Sequence, residues 1–579
     1  MADFFPLDDN DPTAGLFEIG SPICSISRGA FGGKAQGLVQ LNQVLEEEFP
    51  AEEFPGIKIY IPRMAVLCTD VFDQFMAQNQ LYSIALDDLP DNRIGHAFQQ
   101  AELPFNILGD LRKLIQETRY PQAVRSSSLL EDAAHEPFAG VYGTKIIPNN
   151  QLDANTRFRR LVEAIKFVYA SLFFRSAKAY LKATNHELRE EKMAVIIQDV
   201  VGKKFGSRYY PELSGVARSY NFYPMDKAKH EDGVVHLALG LGKTIVDGGI
   251  SWSFSPARPK VKPPYRTVDE LLKITQTRFW ALNLGDPPAY DPLKETEYMV
   301  SADLTTAEQD GSLRYLASTF DPYANRLTIG TGSPGPRVLT FGRLLELNEI
   351  PLTRIISRLL DISESLLEAP VEIEFAMTFD PHEFGFLQVR PMVVSDLEVD
   401  LEPDELLGEN LLLGSEQALG NGKDQSIQDI VFVKPDSFLP KYTRVIAQEL
   451  SDLNRQLLDE NRPYLLIVIG RLGTTDPWLG IPIDWGDVSG AKAVVETTTE
   501  DFNVVLSQGS HYFHNITSLG VYYFTHPFSS QFQLNWDWLF KQEITAETDH
   551  LSLVHIPEPL SIKVGGRHGR GIIQFSAGE

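Results

Sequence analysis

Cysteine, cationic side chains and long apolar runs are all scarce in this chain. Cys24 and Cys68 are the only cysteines in 579 residues, which excludes a disulfide framework and makes a reducing, cytoplasmic location the expectation. Lys and Arg number 52 against 78 Asp and Glu, a formal net charge of −26. A protein this acidic does not coat nucleic acid or an anionic membrane, and the cations it needs for an anionic ligand must be gathered locally. No stretch approaches the roughly 20 apolar residues that cross a bilayer, so no membrane partner is expected. The opening MADFFPLDDNDPTAG has neither a basic start nor a long apolar centre and is not a secretory signal; residues 1–20 read as a mobile lead-in. What remains is length enough for roughly two to four soluble domains.

The most informative stretch is 371–393, VEIEFAMTFDPHEFGFLQVRPMV. Val371, Ile373 and Phe375 alternate with Glu372, Glu374 and Ala376, and Phe386, Leu387 and Val389 surround Gln388 and Arg390. Period-two alternation interrupted by TFDPHEFG predicts two antiparallel strands joined by a short loop. Glu372 and Glu374 then share one strand face, and the partner strand can bring Gln388 and Arg390 beside them. A solvated sheet face would satisfy the alternation. So would a site in which the two carboxylates hold a divalent ion against a polyphosphate and the guanidinium neutralises it.

Two polar loops lie upstream. In 27–41, SRGAFGGKAQGLVQL, a glycine-rich turn enters a predicted helix; it is either a plain helix start or an anion-holding loop with Lys34 as a point charge. In 123–144, AVRSSSLLEDAAHEPFAGVYGT, a strand delivers Arg125 to three serines, Ser126 to Ser128. Arg125 offers a bidentate fork for phosphate, or it pairs with Glu131 or Asp132 in a surface turn. The run 192–202, KMAVIIQDVVG, has strand length and one polar interruption, Gln198. Residues 158–188 and 341–368 carry apolar side chains at helical spacing, and STFDP at 318–322 marks a turn between strands.

After Pro391 the composition changes. Residues 396–407 belong to an acidic, proline-containing segment suited to an interdomain linker. Residues 408–579 are β-rich and glycine-punctuated, with LLIVIG and AKAVVET as buried-strand candidates. In SQGSHYFHNITSLG, His511 follows Gly509 and Ser510 on a turn, with His514 close behind. His511 is a packed or surface histidine, a metal ligand, or a nucleophile, since imidazole carries phosphate well near neutral pH.

Several of these motifs together resemble the phosphoenolpyruvate synthase and pyruvate, phosphate dikinase family. The resemblance rests on Gly32, Gly33, Lys34 and Leu38; on Val124 to Ser127, Glu131, Asp132 and Phe138 to Gly140; and on Gln198. It continues through Ser214 to Val216, Gly240 to Gly242, Val246 and Gly248, and closes with Glu372 to Phe375, Gln388, Arg390 and Pro391. Lys243 and His236 stand where the family usually carries Glu, and Glu372 where it usually carries Asp. The implied fold is α+β: a two-subdomain ATP-grasp domain at 21–395, the linker at 396–407, and a smaller swivelling β/β/α phosphohistidine-like domain at 408–579. A pyruvate-binding barrel is not expected here.

The resemblance further implies ATP and Mg2+ as cofactors. Lys34, Arg125, Ser126, Gln198, Glu374, Gln388 and Arg390 would bind the nucleotide, and Glu372 and Glu374 the metal. Arg125, Arg390 and His511 would be catalytic, the histidine taking the β-phosphoryl group of ATP and passing it to an unknown acceptor with release of AMP and phosphate. The alternative is a degenerate relative that binds ATP as a sensor or scaffold. The acceptor can be a small molecule or a partner protein, and a homo-oligomer stays open.

Overall fold

A computed structural model describes residues 21–50, 52–131, 140–183, 187–222, 228–261, 267–273, 275–392, 399, 401–474, 476–483, 485–504, 521–532, 534–565 and 569–576. The expected lead-in at 1–20 and the stretch containing His511 lie outside them. Helices and strands are mixed along the whole chain, an α+β content. Among the described residues no helix is long and apolar enough to cross a membrane.

A five-stranded sheet runs in the spatial order Ile23–Ser25, Met64–Leu67, Met193–Asp199, Gln122–Ser128 and Thr144–Ile147. Met193–Asp199 is apolar almost throughout because both its faces are covered. Val195 and Ile197 pack into a cluster with Phe72, Phe75 and the helix Ala154–Ser171, while Ala194 and Ile196 join Ala35 and Leu38 of the helix Gly32–Glu48. Burial on both faces explains why this strand shows no alternation in the sequence.

The second sheet is six-stranded, in the order Trp252–Phe254, Val234–Ala238, Leu213–Arg218, Val371–Phe379, His382–Pro391 and Lys58–Tyr60. Ile373, Phe375 and Met377 turn to the core beside Ile355 and Leu359 of the helix Leu352–Leu367. Glu372, Glu374 and Ala376 therefore turn the other way, as the alternation predicts. The hairpin register shifts between Glu374 and Phe375, which leaves Leu387 unpaired as a bulge on the opposite strand. Smaller sheets of four strands (between Lys203 and Asp303) and three strands (between Ala317 and Leu339) flank this core.

Two local expectations change. The helical run at 341–368 is broken into Gly342–Leu345 and Leu352–Leu367, because Asn348 adopts a left-handed conformation (φ 52°) and Pro351 sets the start of the second helix. Ser318 to Phe320 lie inside the strand Ala317–Asp321; only at its end does Asp321 turn the chain by accepting the Tyr323 and Ala324 N–H groups.

In the carboxy-terminal part, a seven-stranded sheet has four parallel strands at its centre: Tyr522–His526, Ala491–Thr497, Tyr464–Ile469 and Asp429–Val433. One face packs through Phe432, Ile467 and Val495 on a four-stranded antiparallel sheet that contributes Leu413, Ile562 and Ile573. The other face packs through Val431, Leu466 and Val494 on Ile446, Leu450 and Leu457 of the helix Thr443–Asp459. The layers are sheet, sheet, helix. The acidic segment expected to be an interdomain linker is packed down where it is described: Leu401 and Leu406 are buried with Phe532 and Ile572. Its two leucines outweigh its charge, because each is nearly fully removed from water.

His526 closes one end of the central strands. Its Nε2 faces the Phe532 carbonyl at 2.7 Å and so carries the proton, while Nδ1 faces the Thr497 hydroxyl at 3.1 Å. Burial pushes its pKa below the ordinary 6.5. As pH falls, the unfolded chain therefore takes up this proton before the folded one. The stability linked to the neutral ring is present above about pH 6.5 and lost on acidification through the depressed value. His526→Gln is expected to flatten the acid limb of the stability curve by at most ~1.4 kcal/mol per pH unit. Urea titrations from neutral to mildly acid pH check this, and an unaltered slope would count against it.

Candidate functional site

The face of the six-stranded sheet opposite Ile373 and Phe375 carries polar rows set by its register. Glu372 lies opposite Arg218 on one neighbouring strand and Arg390 on the other; the next row holds His236, Val216, Glu374 and Gln388. In the first row both Glu372 oxygens are engaged. Oε2 accepts from Arg218 Nε at 2.6 Å, and Oε1 accepts from Arg390 Nε at 2.9 Å and from its Nη2. All three side chains are buried, Glu372 to 2% exposure. This pairing speaks against the expectation that Glu372 holds a metal. Two guanidiniums already bond both oxygens of its carboxylate, and turning it to a metal would break both buried pairs.

Arg125 crosses from the five-stranded sheet to the second row. Its Nη2 donates to Gln388 Oε1 and to Glu374 Oε2 at 3.2 Å; its Nη1 donates to the Leu387 carbonyl at 3.0 Å and to Gln198 Oε1 at 3.3 Å. The bulge at Leu387 is what turns that carbonyl away from the ladder and towards the guanidinium.

Lys34 enters from the start of the helix Gly32–Glu48. Gly32 has φ +73°, and a Cβ there would meet the Ser127 carbonyl at 1.8 Å, so only glycine lets the helix begin this close to the strand. Ser127 then fixes the turn, its hydroxyl donating to the Phe31 carbonyl at 2.8 Å and accepting from Ala35 N–H at 3.1 Å. The loop's other described N–H bonds run to protein as well, Gly29 to Asp70 and Ala30 to Thr69. The loop thus offers its lysine, whose ammonium pairs with Glu131 and lies 3.4 Å from Ser126 Oγ.

These elements enclose a cavity of about 350 Å3, within the usual range for small-molecule sites. Of the expected nucleotide ligands, Lys34, Arg125, Gln198, Glu374, Gln388 and Arg390 line it. Ser126 is fully buried behind them, bonding Lys34 and Glu131. Gln198 is 2% exposed, and its Nε2 has no acceptor among the described residues while its Oε1 is held by Arg125. A buried amide donor left open towards a cavity fits a ligand that brings an acceptor, as a purine ring or a phosphate does. Among the described residues no group of three or more His, Cys, Asp or Glu converges as a metal site.

Sequence reasoning missed two features of the wall. Lys243, Asp247 and Glu295 line part of it, with Lys243 visible beforehand only as a lysine at a position expected to be acidic. His236, the other such position, bonds Ser251 through Nδ1 at 3.3 Å and does not line the cavity. The carboxy-terminal part also contributes, through Gly473, Ile483 and Trp485. It is held there by Arg471, which donates to the Gly248 carbonyl, and by Gly486, where an added Cβ would meet Ala179 Cβ at 3.1 Å. No local pattern marks such a contact, because it is made between segments more than 200 residues apart.

The family model described as pyruvate phosphate dikinase, AMP/ATP-binding domain, matches residues 29–406. An uncharacterized phosphotransferase of Bacillus subtilis (strain 168), YvkC, is 28% identical over 193 residues, which are 33% of this chain and 20% of that relative. The chain thus spans about a fifth of that curated relative's length.

Removing the charge of Glu372 with Glu372→Gln takes away the carboxylate that two buried guanidiniums share, an expected loss of about 3–5 kcal/mol. Glu374→Gln, at a partly exposed position, is expected to change stability by less than about 1 kcal/mol. Urea unfolding of both variants tests this division. Equal losses would refute it.

Proposed function

Because this chain belongs to the pyruvate phosphate dikinase AMP/ATP-binding domain family, we propose that it is an ATP-dependent phosphotransferase whose nucleotide occupies the cavity between the two sheets. The observation that carries this reading is the convergence of Lys34, Arg125 and Arg390 on one 350 Å3 cavity in a chain of net charge −26, with the open Gln198 donor beside them. Residues 21–395 act as the ATP-grasp-like domain, 396–407 as its connection, and 408–579 as a phosphohistidine-like domain. The sheet, sheet, helix layering of the last part supports that assignment.

Arg125 orients the nucleotide phosphates, and Lys34 and Arg390 neutralise charge on them. Glu374, 16% exposed on its side chain and flanked by Gln388, is the carboxylate that would hold a magnesium ion. Such an ion supplies positive charge to the polyphosphate when bound. His511 is the proposed carrier and lies outside the described residues. One of its ring nitrogens attacks the β-phosphorus, the bond to the α-phosphate oxygen breaks, and AMP departs with that electron pair. Hydrolysis of the carried pyrophosphoryl then releases phosphate, and the remaining phosphoryl group passes to an acceptor. A second reading, ATP binding without turnover, is favoured by the pairing of Lys34, Arg125, Lys243 and Arg390 with protein carboxylates.

Incubation with Mg2+ and ATP labelled in the β-phosphate is expected to yield AMP and acid-labile label on the protein, absent from His511→Ala. Binding without AMP or label leaves the sensor reading alone, and failure to bind ATP overturns both. Arg125→Met is expected to weaken ATP binding roughly 10- to 100-fold, the loss of one or two charge-assisted hydrogen bonds.

A further inference from the structure

Residues 284–298 join the strands Arg278–Asn283 and Met299–Asp303 of the four-stranded sheet without forming a helix or strand of their own. Their sequence, LGDPPAYDPLKETEY, explains this. Pro287, Pro288 and Pro292 bring no N–H to a ladder, so the loop's carbonyls need partners from elsewhere. The loop is seated on the helices Ala154–Ser171 and Asp91–Gln100, whose apolar faces pack with the five-stranded sheet. Tyr290 donates to Glu163 Oε1 at 3.1 Å, and Leu293 lies so close to Gly95 that an added Cβ would meet its Cδ2 at 2.6 Å. From that seat Glu295, and Met299 at the start of the next strand, reach the cavity wall.

What holds the loop there is Lys145, on the edge strand Thr144–Ile147 of the five-stranded sheet. Thr144 and Ile146 line the cavity, so Lys145 between them turns to the opposite face, where it is 1% exposed and lies 5.4 Å from the centre of the Phe167 ring. Its Nζ donates to the carbonyls of Asp291 at 3.2 Å, Pro292 at 2.8 Å and Lys294 at 3.0 Å, and sits 2.8 Å from Glu297 Oε2. Glu297 Oε1 closes the loop on itself by accepting from the Asp291 N–H at 3.1 Å. Burial pushes the lysine pKa below its ordinary value, and Glu297, Asp291 and Glu163 work against that fall. The grip alternates along the chain: Lys294 and Glu297 are held behind the strand, while Glu295 and Met299 face the cavity. The lysine's charge also favours the ionised form of Glu295.

A buried ion pair is weak evidence for stability, and a pair alone would need only one carboxylate. Lys145 takes three carbonyls of a single loop as well, and that loop fastens the four-stranded sheet to the five-stranded one. We propose that Lys145 is a positioning residue for the nucleotide: its ammonium clips the loop 284–298 to the back of the strand Thr144–Ile147 and thereby sets Glu295 and Met299 in the cavity wall. Nucleotide affinity then depends on a lysine that does not itself line the cavity. The inference rests on the proposed function in taking the ligand to be a nucleotide. Without the ammonium, three carbonyls and Glu297 lose that donor, the loop lifts from the strand edge, and the wall it supplies loses its shape.

Two variants of the full chain separate positioning from folding. Lys145→Met with Glu297→Gln removes both charges, so neither is left buried alone. Lys145→Ala leaves a void whose missing atoms are those of propylammonium. Calorimetric titration with a non-hydrolysable ATP analogue is expected to show affinity weakened roughly tenfold or more in both variants. Amide hydrogen exchange quickens at 284–298 while thermal unfolding stays cooperative. Propylammonium returns affinity and exchange protection to Lys145→Ala; tetramethylammonium, which has no N–H to donate, does not. Unaltered affinity in a folded variant, lost affinity without faster exchange of the loop, or a loss that propylammonium does not reverse overturns the inference. Failure of both variants to fold overturns it too, leaving Lys145 a part of the core alone. Failure of wild type to bind the analogue overturns the proposed function instead, and exchange at 284–298 in the variants still decides whether Lys145 holds the loop.

Discussion

The Arg125 guanidinium reaches from one sheet to another and takes hold of a carbonyl, two glutamines and a carboxylate, and the geometry of the cavity depends on that reach. Four acceptors lie within 3.3 Å of its two terminal nitrogens, three of them on or beside the hairpin of the six-stranded sheet. A flat, rigid fork can bond in several directions at once, whereas a lysine there would make a single-point contact and leave the sheets freer to slide. Behind it, the Arg218–Glu372–Arg390 clasp ties three adjacent strands through one buried carboxylate. That clasp is a specificity device more than a source of stability, since well-packed apolar residues often replace such triads without loss. It allows only the register in which Glu374 and Gln388 stand side by side below Arg125.

Much of the hairpin was legible because its code is local. Alternation assigns Ile373, Phe375 and Met377 to one face and Glu372 and Glu374 to the other, and a short loop makes the strands antiparallel. Those two facts suffice to bring Arg390 to Glu372. The same reasoning gave Glu372 and Glu374 one role, because two carboxylates on one face look alike until the neighbouring strand is known. Arg218 belongs to a strand more than 150 residues earlier, and nothing near position 372 announces it. The glycine turn was legible only as two alternatives, a plain helix start or an anion-holding loop. A Gly-rich helix start advertises N–H donors, but Ser127, Thr69 and Asp70 already take the donors at Ala35, Ala30 and Gly29. Lys34 survived as a cavity residue since its long side chain reaches past the turn. The wall supplied by Ile483 and Trp485 was not legible at all, being a property of how two segments pack and not of either sequence.

Under the proposed function, acidity and anion binding meet in this cavity through exchange of partners. Lys34 is paired with Glu131, Arg125 with Glu374, Lys243 with Asp247 and Glu295, and Arg390 with Glu372. Each cation is therefore already oriented before a ligand arrives, which spares part of the ordering that binding would otherwise require. The same pairing weakens affinity, for a phosphate must compete with a carboxylate that is already in contact. Selectivity follows: a ligand with one negative charge displaces one partner, while a polyphosphate meets several cations at once along a single cavity.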